Sequence, residues 1–221
     1  MTYTLRGRKT TCDRVADALA GAADGHGRVV LIEGAAGSGR SRMLAETAAL
    51  ASDRGFTVCQ AVADHVGHPA FLAPLGLAPL PPVGEEAAAA GPGDLSRFAA
   101  RLLERPLRTP VLVALDDVQG ARPADLEALR SLSALLATRA LPVLVVVTLA
   151  SRGAAHGTCR PVPDGTHAAV DRLVAALAAD SALRLDLPPL PEPAVAALAA
   201  EVLGAPPDVV LARLLATSGG A

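Results

Sequence analysis

The 221-residue sequence has no tryptophan, one tyrosine and three phenylalanines. A core without aromatic bulk is filled by aliphatic side chains, and 51% of the residues are hydrophobic. Such a composition favours helices layered on a sheet over an aromatic-rich barrel or an antibody-like sandwich. The three cysteines, Cys12, Cys59 and Cys159, have no C-x-x-C spacing, which argues against a disulfide framework or a zinc knuckle and suits a reducing cytosol. No apolar run reaches the roughly 20 residues of a membrane span, and the opening MTYTLRGRKTT is polar, unlike a secretory leader. The formal net charge is only −2, so neither a nucleic-acid surface nor a membrane surface is expected. Lysine is nearly missing as well. Lys9 is the single one among 20 basic residues, a bias that bears on the site described next.

What is present is a series of Val- and Leu-rich runs alternating with helix-like segments. The runs are Arg28–Glu33, Thr57–Ala63, Pro110–Asp117, Leu141–Ala150 and Ala182–Leu190. Continuous apolar runs between amphipathic helices are what a parallel sheet covered on both faces requires. The expected fold is α/β, a three-layer sandwich around a mostly parallel five-stranded sheet. Two stretches break the pattern, 68–93 and 151–166, both rich in Pro, Gly and Ala or in Gly, Pro and Ser/Thr, and both read as loops. From Pro191 onward two short amphipathic helices, split at Gly204–Pro207, read as the start of a helical lid. The organisation expected is therefore a core over residues 1–190 and a partial lid over 191–221, with no repeat of solenoid length.

The stretch GAAGSGRS, Gly34 to Ser41, follows the first run and opens a helix. Gly34, Gly39, Arg40 and Ser41 stand at the spacing of a phosphate-binding loop, G-x-x-x-x-G-K-[ST], with arginine in the lysine position. Glycines let the chain curl so that the amides of Ala35, Ala36, Gly37, Ser38 and Gly39 turn inward, and the helix amino terminus adds partial positive charge there, flanked by Arg40 and Arg42. Ser41 offers a hydroxyl to Mg2+. A glycine-rich strand-to-helix turn without ligand is the plainer alternative. Arg40 keeps the charge, but its planar fork is bulkier than an ammonium and does not fit between phosphate oxygens in the same way. Binding then survives while hydrolysis slows.

The run VLVALDD closes on Asp116 and Asp117. Carboxylates at the end of a buried strand are costly unless solvent, a metal or a base role accommodates them. With the loop upstream, Asp116 is a candidate Mg2+ ligand and Asp117 a candidate catalytic group that polarises the attacking water; a helix-capping role is the alternative. Arg8, in Arg6-Gly7-Arg8, is placed to bring backbone near an adenine ring or else forms an ordinary turn. Thr148, Ser151 and Arg152 end another strand, where polar groups of an open parallel sheet meet ligands. His65, His68, His156 and Cys159 do not make a metal site, because nothing positions a third ligand.

In order, LRGR, VVLIEGAAGSGRSRMLAE, PVLVALDDVQGARPADLEALRSL, PVLVVVTLASR and LRLDLPPLPEPAVAALAAEVLG resemble the N-terminal ATPase module of the large ATP-binding regulators of the LuxR type. These are signal-transduction ATPases related to AAA+ proteins, with the P-loop NTPase fold. The resemblance runs from about Leu5 to the end. It implies an ATP- and Mg2+-binding switch followed, in the family, by helical repeats and a helix-turn-helix. Neither is encoded here, so it also implies a truncated reading frame, an excised piece or a free-standing remnant that does not itself touch DNA and whose partners are an effector region or a second copy. The family usually has lysine at the position of Arg40, and His-Trp-Ala-Asp where this chain has Gln119, Gly120, Ala121 and Arg122. An acid is common where Lys9 stands. These departures bear on catalysis more than on binding. Two other functions compete: a P-loop kinase or phosphotransferase using Arg152 and Arg160 as a lid, and a degenerate scaffold that binds no nucleotide.

Overall fold

The computed structural model describes residues 7–62, 99–100, 107–151 and 166–217. Arg6, Arg152, Arg160, the four His/Cys residues and nearly all of the two irregular stretches named above lie outside them.

Five strands, β1 (His26–Gly34), β2 (Thr57–Val62), β3 (Val111–Asp116), β4 (Leu141–Ala150) and β5 (Leu183–Leu187), form one sheet in the order β2-β3-β4-β1-β5. Every pairing is parallel. Each expected apolar run contains a strand: β1 extends past its run at both ends, β4 coincides with its run, and β3 and β5 are shorter than theirs. β5 stops at Leu187 because Pro188 and Pro189 have no N–H to give to a ladder.

Successive side chains on a strand point to opposite faces, and here both faces are apolar because both are covered. Val30, Ile32, Leu112, Leu144 and Val146 pack against α1 (Lys9–Ala23) and α2 (Arg40–Asp53) through Val15, Leu19, Met43 and Leu44. Val29, Leu31, Val113, Val145 and Val147 pack against α3 (Pro123–Thr138) and α4 (Thr166–Ala179). On α3 the contact stripe is Leu126, Leu129, Leu132 and Leu136, at the three- and four-residue spacing of a single helix face. Each such buried leucine contributes about 2 kcal/mol. Pro123 occupies the first turn of α3, where its missing N–H costs no hydrogen bond.

Two further helices, α5 (Glu192–Leu203) and α6 (Val209–Thr217), follow the sheet and are divided at Gly204. The start of α5 lies on the amino-terminal segment, where Leu190, Pro191 and Ala194 surround Gly7. Among the described residues no helix is long and apolar enough to cross a membrane. Because the sheet is wholly parallel, the carboxyl ends of β1, β3, β4 and β5 share one edge, and that edge carries the candidate site.

Candidate functional site

β1 ends at Gly34, and the chain turns through residues 35–39 into α2, whose cap is Gly39 at φ 89°, ψ 22°. Gly37 also has positive φ, 78°, a region that costs other residues about 1–2 kcal/mol. Gly34 is required for a different reason: a Cβ there would collide with Ser38 Oγ and sit 3.1 Å from Leu187 Cβ. The turn brings the first amides of α2, which have no acceptor inside the helix, to the mouth of the loop. Ser38 is 5% exposed, and among the described residues its hydroxyl has no hydrogen-bond partner, although its amide donates to Ala35 O at 3.2 Å. A buried donor with nothing to donate to fits an anion. Ala36, Gly37 and Ser41 are exposed, and Gly34 and Ser38 form the floor.

Asp116 is the last residue of β3, and Asp117 turns out of the strand in the left-handed conformation, φ 54°, ψ 56°, into a one-turn 3-10 helix, Val118–Gly120. Thr148 on β4, fully buried, holds this bend. Its hydroxyl donates to Asp116 Oδ1 at 2.5 Å and accepts the Asp117 N–H at 2.8 Å. Gln119 holds it from the other side. Its Nε2 donates to Asp117 Oδ1 at 2.9 Å, and its Oε1 accepts the Ala150 N–H at 3.3 Å. The sequence marks Thr148 as a polar strand end and Gln119 only as a departure from the family. Their joint grip on the acids is legible only once β3 and β4 are neighbours.

β4 separates β1 from β3, which puts the loop and the acids two strand spacings apart, about 10 Å. Arg40 spans that gap. Its Nη1 donates to Gly34 O and, at 3.0 Å, to Ala35 O, while Nη2 donates to Asp117 Oδ1 at 3.0 Å. Its Nε is buried with no partner among the described residues. The Gly34 carbonyl also accepts the Ser151 N–H at 3.0 Å, so the loop is anchored to the end of β4 as well. Arg42 forms an ion pair with Glu46 one turn along α2. Arg8 is buried, and its Nη2 donates to Ser38 O at 3.0 Å and to Pro188 O at 2.6 Å, tying the amino-terminal segment and the end of β5 to the loop. Burial lowers the pKa of this guanidinium below its usual value. Nothing in the sequence signals that anchoring task.

Residues 4–146 match the model of the AAA ATPase domain. The chain belongs to this family. No curated protein sequence matches the chain. Among solved structures, the AAA domain superposes on the ORC2 protein of Aeropyrum pernix, in ADPNP and ADP complexes, at TM-score 0.52 and 16% identity over 89% of this chain and 52% of that one. It superposes on AMPPCP-bound DnaA of Aquifex aeolicus at 0.53 and 15%, over 96% and 56%, and on Drosophila ORC bound to DNA at 0.59 and 14%, over 92% and 47%. At these identities the likeness is one of fold, and the AAA domain described here spans about half the length of those chains.

The donors of this AAA domain suit a polyphosphate: the amides of a helix amino terminus have no acceptor within their own helix, and among the described residues the Ser38 hydroxyl and the Arg40 Nε are buried without a partner. For a hard divalent cation the oxygen donors at this edge are the Ser41 hydroxyl and the Asp116 carboxylate. Among the described residues no group of three or more His, Cys, Asp and Glu is gathered, so a cation here would lean on phosphate and water for its remaining ligands.

Proposed function

We propose that this AAA domain is a regulatory nucleotide switch: it binds ATP with Mg2+ at the carboxyl edge of the sheet, hydrolyses it slowly or not at all, and belongs to a cytoplasmic transcription regulator of the LuxR type. The observation that carries the reading is the arrangement of the Gly34–Ser41 loop and the Asp116–Asp117 pair on one edge, joined by one guanidinium. The nucleotide analogues in the archaeal ORC2 and Aquifex DnaA structures support it.

In this reading the loop from Gly34 to Ser41, including Ala35, Ala36, Gly37, Ser38 and Gly39, donates amide hydrogens to phosphate oxygens, with Arg40 and Arg42 adding charge. Ser41 and Asp116 hold Mg2+, which when bound neutralises phosphate charge and polarises the bond to be broken. Asp117 orients and polarises a water. Arg8 keeps the loop's Ser38 carbonyl in place. Residues 1–190 form the core and 191–221 begin a helical lid. A bound nucleotide acts on an effector region, or on self-association, only as far as it binds one conformation better than another. Direct DNA contact is not assigned to this segment, whose net charge is −2.

A second reading, a scaffold that takes no nucleotide, is favoured by one observation: Arg40 already satisfies Asp117 and two loop carbonyls internally. Titration with a fluorescent ATP analogue, with and without Mg2+, separates the two. Saturable binding that Mg2+ strengthens is expected of the switch, and no saturation up to millimolar analogue establishes the scaffold instead. Phosphate release by Asp117→Asn below that of the parent chain would then assign the water-polarising role; an equal rate would remove it.

A further inference from the structure

We propose that Arg40 is a latch, a guanidinium that binds the protein's own carbonyls and catalytic-site acid until a phosphate takes it away. The inference rests on the nucleotide-binding reading of the loop and adds to it a means by which occupancy is reported to the rest of the domain.

Three donor–acceptor contacts fix the resting position. Nη1 serves Gly34 O and Ala35 O at the end of β1, and Nη2 serves Asp117 Oδ1 at the end of β3, across the intervening β4. A planar fork with donors on separate nitrogens can bridge two such sites, whereas the lysine ammonium is a single compact point. The arginine side chain is only 11% exposed, and Asp117 is 45% exposed, so the pair is shielded on one side and open to an incoming anion on the other. The resting arrangement is also incomplete. Among the described residues Arg40 Nε and Ser38 Oγ are both buried without a partner, and a buried polar group left unsatisfied is destabilising. A phosphate entering the loop supplies acceptors to both and removes that penalty.

Release of Arg40 has a defined consequence. Asp117 stands in the left-handed region; among the described residues Thr148 holds its amide, and Gln119 and Arg40 hold its Oδ1. Thr148 and Gln119 both connect it to β4, whereas among the described residues Arg40 connects it to the loop. When the guanidinium turns to phosphate, Gln119 keeps the carboxylate registered on β4 while its tie to the loop is cut. The 3-10 turn that follows carries Val118, buried between the sheet and the helices α3 and α4, so the change is delivered to that layer. The latch also competes with ligand: part of the affinity for phosphate is spent displacing an internal carboxylate.

The test is a double-mutant cycle on the whole chain, Arg40→Lys and Asp117→Asn singly and together, read two ways. Urea unfolding of the ligand-free protein is expected to show coupling between the positions of about threefold or more in the folding equilibrium, and saturating ATP analogue with Mg2+ is expected to abolish it. In titrations, Asp117→Asn is expected to tighten analogue binding by about threefold or more in the parent background and distinctly less in the Arg40→Lys background. The Arg40→Lys arm subtracts the general relief of charge repulsion that any Asp117→Asn change brings. Binding with the same Asp117→Asn effect in both backgrounds, or no coupling in the ligand-free cycle, overturns the latch and leaves nucleotide binding standing. Absence of saturable binding in every chain overturns the nucleotide reading and the latch with it.

Discussion

Thr148 donates its hydroxyl proton to Asp116 Oδ1 at 2.5 Å from a site with no exposed surface, and the same oxygen accepts the Asp117 N–H. One buried atom thus serves both acids and holds the left-handed bend between them. Thr148→Val keeps the shape and leaves two polar groups without their partner, so it is expected to destabilise the fold by about 2–3 kcal/mol in urea unfolding and to reduce ATP-analogue binding. Thr148→Ser retains the hydroxyl and is expected to recover most of both. Equal stability of the Thr, Val and Ser chains would show that the bend is held by something else.

Gly34 meets Ser38 and Leu187 at close quarters. Gly34→Ala must push the loop or β5 aside, and overpacking of this kind costs about 1–3 kcal/mol; analogue binding is expected to weaken at least about tenfold, since a small misplacement of converging donors is amplified. Gly120→Ala is the control. A Cβ there meets nothing within 4 Å and its φ is not positive, so stability is expected to change by less than about 0.5 kcal/mol. Thermal unfolding and titration of the two variants side by side check both statements, and a Gly34→Ala chain indistinguishable from Gly120→Ala would refute the crowding argument.

The strands were legible because each is a run of Val and Leu bounded by Gly, Pro or acid, and the loop was legible because its glycines have a fixed spacing. The covering helices were legible as the helix-like segments between those runs. The order of the strands was not legible: nothing local in Leu141–Ala150 says that it inserts between β1 and β3, yet that insertion puts Thr148 beside Asp116 and Asp117. For the same reason the partners of Arg40 and Arg8 were hidden. Arg40 meets an acid 77 positions away and Arg8 a carbonyl 180 away. A sequence pattern shows what a residue offers, and topology decides who receives it.

Arg8 joins three pieces of chain through one nitrogen, Nη2, which reaches Ser38 O and Pro188 O. Burial depresses its pKa, but a guanidinium remains charged at neutral pH, so the tether is present throughout the working range. Arg8→Met removes two charge-assisted bonds while filling similar space. A loss of about 3 kcal/mol is expected, accompanied by weaker analogue binding because the Ser38 carbonyl is no longer held. Unfolding curves and titrations that match the parent chain would mean that the loop holds its shape unaided.

Cys59 lies on β2 with no exposed surface, and burial pushes its thiol up from 9.0 to about 12. The neutral thiol is therefore the folded form, while the unfolded chain ionises it near its ordinary value. The sign follows: this stabilisation is complete below pH 9 and is lost as pH climbs from there toward about 12. Cys12, half-buried on α1, is also shifted upward, by burial first and then by Asp13 and Glu46. Alkylation at about pH 8, near the ordinary thiol range, mapped by mass spectrometry, is expected to mark Cys12 well before Cys59, with Cys59 modified only at the rate of unfolding and accelerated by urea. Cys59→Ala should remove the cysteine-specific part of the alkaline stability loss at the expense of a small cavity. Rapid modification of Cys59 in native conditions would show that β2 opens on its own, and with it the edge of the sheet next to the acids.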